Sequence, residues 1–461
     1  MKISLARFLT FAIATLLAIL VSAIGYAQEL DFLWAKQGGG DSNDIARGVT
    51  ADQVGNTIVI GTFNGKADLD DQEIISAGYE DIFVAKYSDK GKVLWVKRFG
   101  AKRKDFAFDV DIDKKGNSVL TGLFTSNVDF GKFTLKGLGS GDIFTAKLDP
   151  LGNVLWAKQA GGSELDGGNE IAIDSSDNAL IIANTYGSVT VGNTLLNYQG
   201  GMDTFIVKYD PDGNVLWAQQ IAGSGDEQGR GISPDKQGNV LSLGEFTGTI
   251  TIGSKKLTSE SKLRDIFLAK HDASGNVVWA KSFGSTGEDY GRGIGTDAAG
   301  NIYFSGVFTG SVKFDSTTLN SVEGSKDIFL AKADSFGNIL WVRQMGGSGP
   351  DEGCEIEVDE EGNAYISGEF PDKATFESTI LTSAGWRDVF TAQFDPQGKL
   401  IWIKQSGGKE DDVDYAIALD AASRVTIVGT FTGNPTFGKF VLKDVGNNVD
   451  FFAAQLGAER R

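Results

Sequence analysis

The chain of 461 residues carries 43 basic and 61 acidic side chains, for a net charge of −18. An acid excess of that size excludes a protein built to clamp nucleic acid or anionic lipid, which needs clustered Lys and Arg. Glycine is abundant (61) and proline scarce (7), which fits many tight turns, and the single cysteine, Cys354, excludes an intrachain disulfide.

Residues 1–27 read as an export signal. Lys2 and Arg7 give a positive start, Phe8 to Ile24 an apolar run, and Gly25, Tyr26 and Ala27 a cleavage site with small residues where the peptidase needs them. The alternative is a retained anchor, because the apolar run is long for a signal. The expectation is an exported chain, in the periplasm, at the cell surface or in the medium. It has no membrane span once the signal is cleaved, and it is monomeric.

From residue 30 a repeat fills the chain, so residues 28–461 form a single domain. A tryptophan returns at positions 34, 95, 156, 217, 279, 341 and 402, at intervals of 61 or 62 residues, and an Asp-x-Phe strand keeps the same beat from Asp81 to Asp450. Each repeat holds four strand-like segments. In the fourth they are Glu227 to Pro234, Asn239 to Phe246, Asp265 to Lys270 and Asn276 to Lys281. Asp-x-x-Gly turns join the first to the second and the third to the fourth. Glycines in the first segments place that strand innermost, where sheets crowd.

The two ends are complementary. Residues 31–34 open with a tryptophan strand but lack the strand that precedes it elsewhere. Residues 450–455 end with that preceding strand but lack the turn and tryptophan strand found after it elsewhere. A linear array would carry polar caps, whereas a ring can pair the two ends into one sheet. The expected fold is all-β: a seven-bladed β-propeller of four-stranded blades, closed by the N-terminal strand joining the last blade.

The run Asp-Ile-Phe-x-Ala-Lys, then Asp-x-x-Gly-Asn-Val-Leu-Trp-Ala-Lys-Gln, Gly-Gly-Ser-Gly and Ile-Ser-Gly-x-Phe-Thr-Gly resembles the bacterial β-propeller repeat (SBBP-type repeat) family over residues 30–457. The resemblance implies an exported or cell-surface propeller and no one activity. The turn-and-tryptophan unit also looks like the Asp-box of sialidase-type propellers but departs from it, with Gly213 and Trp217 four apart rather than three, so sialidase chemistry is not carried over.

Binding residues concentrate on variable loops held by a rigid scaffold, so function is placed at the long second-to-third connections and the channel mouth beside them. A carboxylate recurs at each first strand: Asp44, Asp105, Asp166, Glu227, Asp289, Asp351 and Asp412. As an acidic ring at the mouth these are weak candidates for Ca²⁺, and no other cofactor is expected. The plainer reading has each accept backbone N–H groups in its own loop.

Three positions later the repeats differ, with Arg47, Phe108, Asn169, Arg230, Arg292, Cys354 and Tyr415. Next to these stand Asp109, Glu170 and Glu355 in the second, third and sixth repeats. Arg47, Arg230, Arg292 and Tyr415 are candidate ligand-binding residues, the arginines for a carboxylate or sulfate, unless they neutralise the recurrent carboxylates instead. Trp386, the one tryptophan off the beat, and its counterpart Tyr79 are candidate anchors for a sugar or a partner protein, unless they pack locally.

Enzyme chemistry has thin support. The only histidine, His271, stands where other repeats carry packing residues, and no phosphate loop is present. The expected function is a non-catalytic module or scaffold binding a protein or glycan. A carbohydrate-active hydrolase or lyase using channel-mouth carboxylates and arginines is the alternative.

Overall fold

The computed structural model describes residues 30–446 and 448–458; the export signal expected at 1–27 lies outside them. Its hairpins are organised by single aspartates. At Asp272 one carboxylate oxygen accepts the N–H groups of Ser274 and Asn276, both at 2.9 Å, and the other accepts the Asn276 side chain at 2.9 Å. Gly275 then donates to the Asp272 carbonyl with φ +87°, a left-handed conformation that glycine adopts without strain. The recurring Asp-x-x-Gly-Asn is therefore one turn repeated, with Asp177 and Ser423 in the glycine place of two copies at φ 61° and 56°.

Between these turns lie antiparallel strands. In the fourth unit they are Glu227–Pro234, Val240–Phe246, Asp265–His271 and Val277–Phe283, within two residues of the expected bounds. They lie side by side in chain order. The second and third strands are buried at every residue and the fourth is half-exposed. The apolar middle strands serve two faces at once, because a neighbouring unit covers each side.

The cores confirm that sharing. One joins Ile58, Ile60 and Val84 of the first unit to Leu120, Phe124 and Phe144 of the second. Another joins Val428, Phe451 and Ala453 near the C-terminus to Val59 and Phe83. The repeating tryptophans cross the same boundaries. Trp95, Trp156, Trp217, Trp279 and Trp341 each donate Nε1 to a turn carbonyl of the following unit, at 3.0–3.2 Å.

The two ends of the chain meet. Leu30–Gly40 runs antiparallel to Asp450–Ala458, from Leu30 opposite Ala458 to Gly38 opposite Phe451. Trp34 donates to the Gln455 side chain at 3.2 Å. The Trp34 ring also packs on Gly91 in a turn of the first unit, as Trp95 packs on Gly152 of the second. The arrangement is all-β and propeller-like.

The small inserted hairpins of the third and fourth units hydrogen-bond backward, to the fourth strand of the preceding unit. Val189–Val191 pairs with Val154–Gly161, and Thr249–Ile252 with Val215–Gly223. In the first and sixth units the connection is a continuous long hairpin, Thr57–Leu69 with Gln72–Tyr87 and Ala364–Phe376 with Thr379–Phe394. The backward pairing satisfies backbone groups that an edge strand would leave open.

Candidate functional site

A register shift makes the site. In every unit the first strand slips against the second, after a glycine or alanine in six of them, as between Ala46 and Gly48 and between Gly229 and Gly231, and after Asp414 in the seventh. The extra residue of such a bulge is left unpaired and its side chain is re-aimed. That residue is the position at which the repeats differ. Successive first strands pack on one another, and Arg47, Phe108, Asn169, Arg230, Arg292 and Tyr415 line one channel of about 830 Å³.

Arg47, Arg230, Arg292 and Tyr415, the candidate ligand-binding residues, all line it. Trp386 and Tyr79 do not; they stand 72% and 62% exposed on the long hairpins of the sixth and first units, which rules out local packing as their role.

The acidic ring is corrected. Among the described residues, none of the seven first-strand carboxylates lines the channel. Each is buried and accepts backbone N–H groups: Ala101 to Asp105 at 2.8 Å, Gly162 to Asp166 at 2.8 Å, Gly408 to Asp412 at 2.7 Å. Each faces the Asp-x-Phe aspartate of the preceding unit, as Glu227 faces Asp203 and Asp44 faces Asp450. Burial first, then the neighbouring carboxylate, pushes Asp105 up to about 7, and burial raises Asp289 and Glu227 to about 8.

The pairing of the arginines with that ring is also overturned. Arg230 binds Glu245 at 3.1 Å, and Arg264 reaches the same carboxylate at 3.4 Å. Arg292 reaches Glu352 at 3.4 Å. Tyr290 sits among them, with Arg264, Arg292 and Lys326 each 5.6–5.8 Å from its ring and its hydroxyl on Glu288. Arg387 holds Asp411 at 2.7 Å. Arg47 lies between two aromatic faces, 5.7 Å from Phe108 and 5.2 Å from Tyr415.

Sequence reasoning missed Glu245, Glu369 and Tyr290. The signal was there for the glutamates: other units carry Thr62, Leu123, Asn184, Val307 and Thr430 at that place in the second strand.

Deeper in the channel stand Asp109, Asp111, Glu170, Glu355 and Glu357. Three of them are already engaged. Asp109 accepts the Ile171 N–H at 2.9 Å, Asp111 that of Ile173 at 2.7 Å, and Glu170 that of Ile232 at 3.3 Å, each tying its strand to the next. Burial raises all five, Glu355 to about 7 and Glu357 to about 8. Among the described residues no group of three or more acidic, histidine or cysteine side chains is arranged to hold a metal ion. No helix there is long and apolar enough to cross a membrane.

No family model matches the chain. An uncharacterised WD repeat-containing protein of Acanthamoeba polyphaga mimivirus is 24% identical over 76% of this chain, which spans 32% of that protein's length. The regulatory protein FlaEY of Caulobacter vibrioides is 24% identical over 42% of the chain and 21% of its own. Similar solved structures include a polysaccharide lyase, an ulvan lyase (TM-score 0.44, 11% identity, 90% of this chain and 97% of that one). A gluconolactonase of Xanthomonas campestris also aligns (TM-score 0.35, 10% identity, 75% of this chain and 96% of that one).

Proposed function

We propose that the chain is a closed seven-bladed propeller of the bacterial β-propeller repeat type, exported, monomeric and non-catalytic, that binds a protein or glycan at its channel mouth and surrounding loops. One observation carries this reading: the positions that differ between repeats are those the bulge turns into a single channel, where arginines and aromatic faces gather. Three of the deep carboxylates, by contrast, are spent on backbone N–H groups. The test is a glycan array and a soluble-protein panel, run beside assays for released reducing ends and unsaturated sugars. Binding without turnover is expected, weakened by Arg230→Ala and Arg292→Ala. Trp386→Ala and Tyr79→Ala, outside the channel lining, test the exposed hairpins as a second contact.

Turnover would favour the second reading, a carbohydrate-active hydrolase or lyase. Its supporting observation is Glu355, whose carboxyl is held up by burial and pulled down by the Arg292 and Arg230 charges, leaving it near 7, the range of a general acid. Export predicts a mature N-terminus at Gln28, read by mass spectrometry of the secreted fraction.

A further inference from the structure

A guanidinium buried away from water is costly unless a carboxylate or other anion meets it. The other channel arginines follow that rule: Arg230 has Glu245, Arg292 has Glu352, and Arg387 has Asp411 and Glu369. Arg47 breaks it. Its Nε is buried without a hydrogen-bond partner, and among the described residues no carboxylate lies within ion-pair distance. Its charge is met only by the faces of Phe108 and Tyr415. Burial draws the group down from its ordinary value, yet an arginine keeps its proton in any protein setting. Among the described residues this largely buried cation thus has no ion-pair partner, although acidic side chains outnumber basic ones in the chain.

The aromatic faces explain how it is held. Flanked by the two rings, the guanidinium can still offer N–H groups to a planar or tetrahedral anion. On the strength of the channel being the binding site, we infer that Arg47 anchors an anion-binding site that takes the carboxylate or sulfate of an acidic sugar. The position favours a sugar over a folded protein partner. Arg47 is largely buried on a channel wall, where a narrow chain or a single residue can enter and a convex protein surface cannot.

The full chain is titrated by calorimetry at low ionic strength with glucuronate, potassium sulfate, neutral glucose and a hexaglutamate peptide. Glucuronate and sulfate are expected to bind and glucose not to. Arg47→Gln should weaken both anions by about tenfold or more. Arg47→Lys should fail to restore them, because an ammonium neither stacks nor forks. Arg103→Gln, at an exposed arginine, is the control. Since removing an uncompensated charge relieves desolvation, Arg47→Gln should melt no lower than the parent, and Phe108→Leu gives a second, charge-neutral loss of the site. Equal anion binding by parent and Arg47→Gln overturns the inference, as does absence of anion binding altogether. Hexaglutamate bound more tightly than glucuronate overturns the choice of a sugar. Neutral glycans bound independently of Arg47 would sink the inference and leave the proposed function standing; failure of every glycan and protein would sink both.

Discussion

At the scale of single residues, the repeat states its own rule through its exceptions. Most short turns place a glycine at positive φ, and Ser423 occupies that place at φ 56°. A non-glycine residue there costs about 1–2 kcal/mol, of which glycine's greater flexibility when unfolded takes back about half. Ser423→Gly is therefore expected to stabilise the protein by about 0.5–1 kcal/mol, read as a higher denaturation midpoint with an unchanged m-value. Lys208 shows the opposite kind of commitment. Its ammonium is buried against Asp174 at 2.8 Å, as Lys147 is against Asp113 and Lys270 against Asp235. Removing one partner strands the other, so Lys208→Ala should cost about 3–5 kcal/mol. A double-mutant cycle with Asp174→Asn would give far less than additive loss.

The strands and hairpins bring a pH dependence with them. Each boundary between units buries two facing carboxyls, one from a first strand and one from the preceding third strand, and several of their oxygens lack a hydrogen-bond donor. Backbone N–H groups of the loop, and Arg98 at the Asp81 site, face them as well. A proton held between the two oxygens satisfies both, as in any close carboxyl pair. Because burial raises these groups in the folded state, to about 7 for Asp105 and about 8 for Asp289 and Asp412, the folded protein holds protons that the unfolded chain releases near pH 4. Their stabilisation is complete below the unfolded value and is lost as pH climbs through the folded one. The melting temperature should fall from about pH 5 to pH 8, measured by calorimetry, and Asp289→Asn should flatten that slope. A melting temperature rising over the same interval would contradict the pairs. The turn aspartates work in the other direction: Asn239 and Lys270 hold Asp235 below its ordinary value, against its burial. Their contribution disappears as acid protonates them, which bounds the stable range from below.

At the scale of the whole molecule, the consequential contact is the meeting of the ends. Phe32 packs on Phe437, and Ala35 lies opposite Ala454 in the strand pair. Antiparallel partners stand about 4.5–5.5 Å apart between Cα atoms, within the reach of a disulfide. In a background with Cys354→Ser, the double variant Ala35→Cys, Ala454→Cys should oxidise to one intramolecular bridge and raise the melting temperature. Failure to bridge would count against the closed seven-bladed form proposed above. Deleting residues 30–40 should open the Asp450–Ala458 edge and promote association, seen by light scattering.

The amino-acid sequence alone determined the period, the strand bounds, the turn chemistry and the complementarity of the ends, because each rests on local rules: Asp-x-x-Gly for the turn, apolar runs for strands covered on both faces, glycine where backbones crowd. It also singled out Arg47, Arg230, Arg292 and Tyr415, since a position that varies against a strict repeat stands out. Tertiary structure alone decided what those residues meet. Whether an arginine finds Glu245 or only two aromatic rings, and whether a recurring aspartate faces the channel or a second carboxyl, depends on which units adjoin and how a bulge turns each strand. Such contacts join residues from 15 positions apart, as Arg230 with Glu245, to about 60, as Asp109 with Ile171 and Arg47 with Phe108, and spacing along a chain carries no record of direction in space.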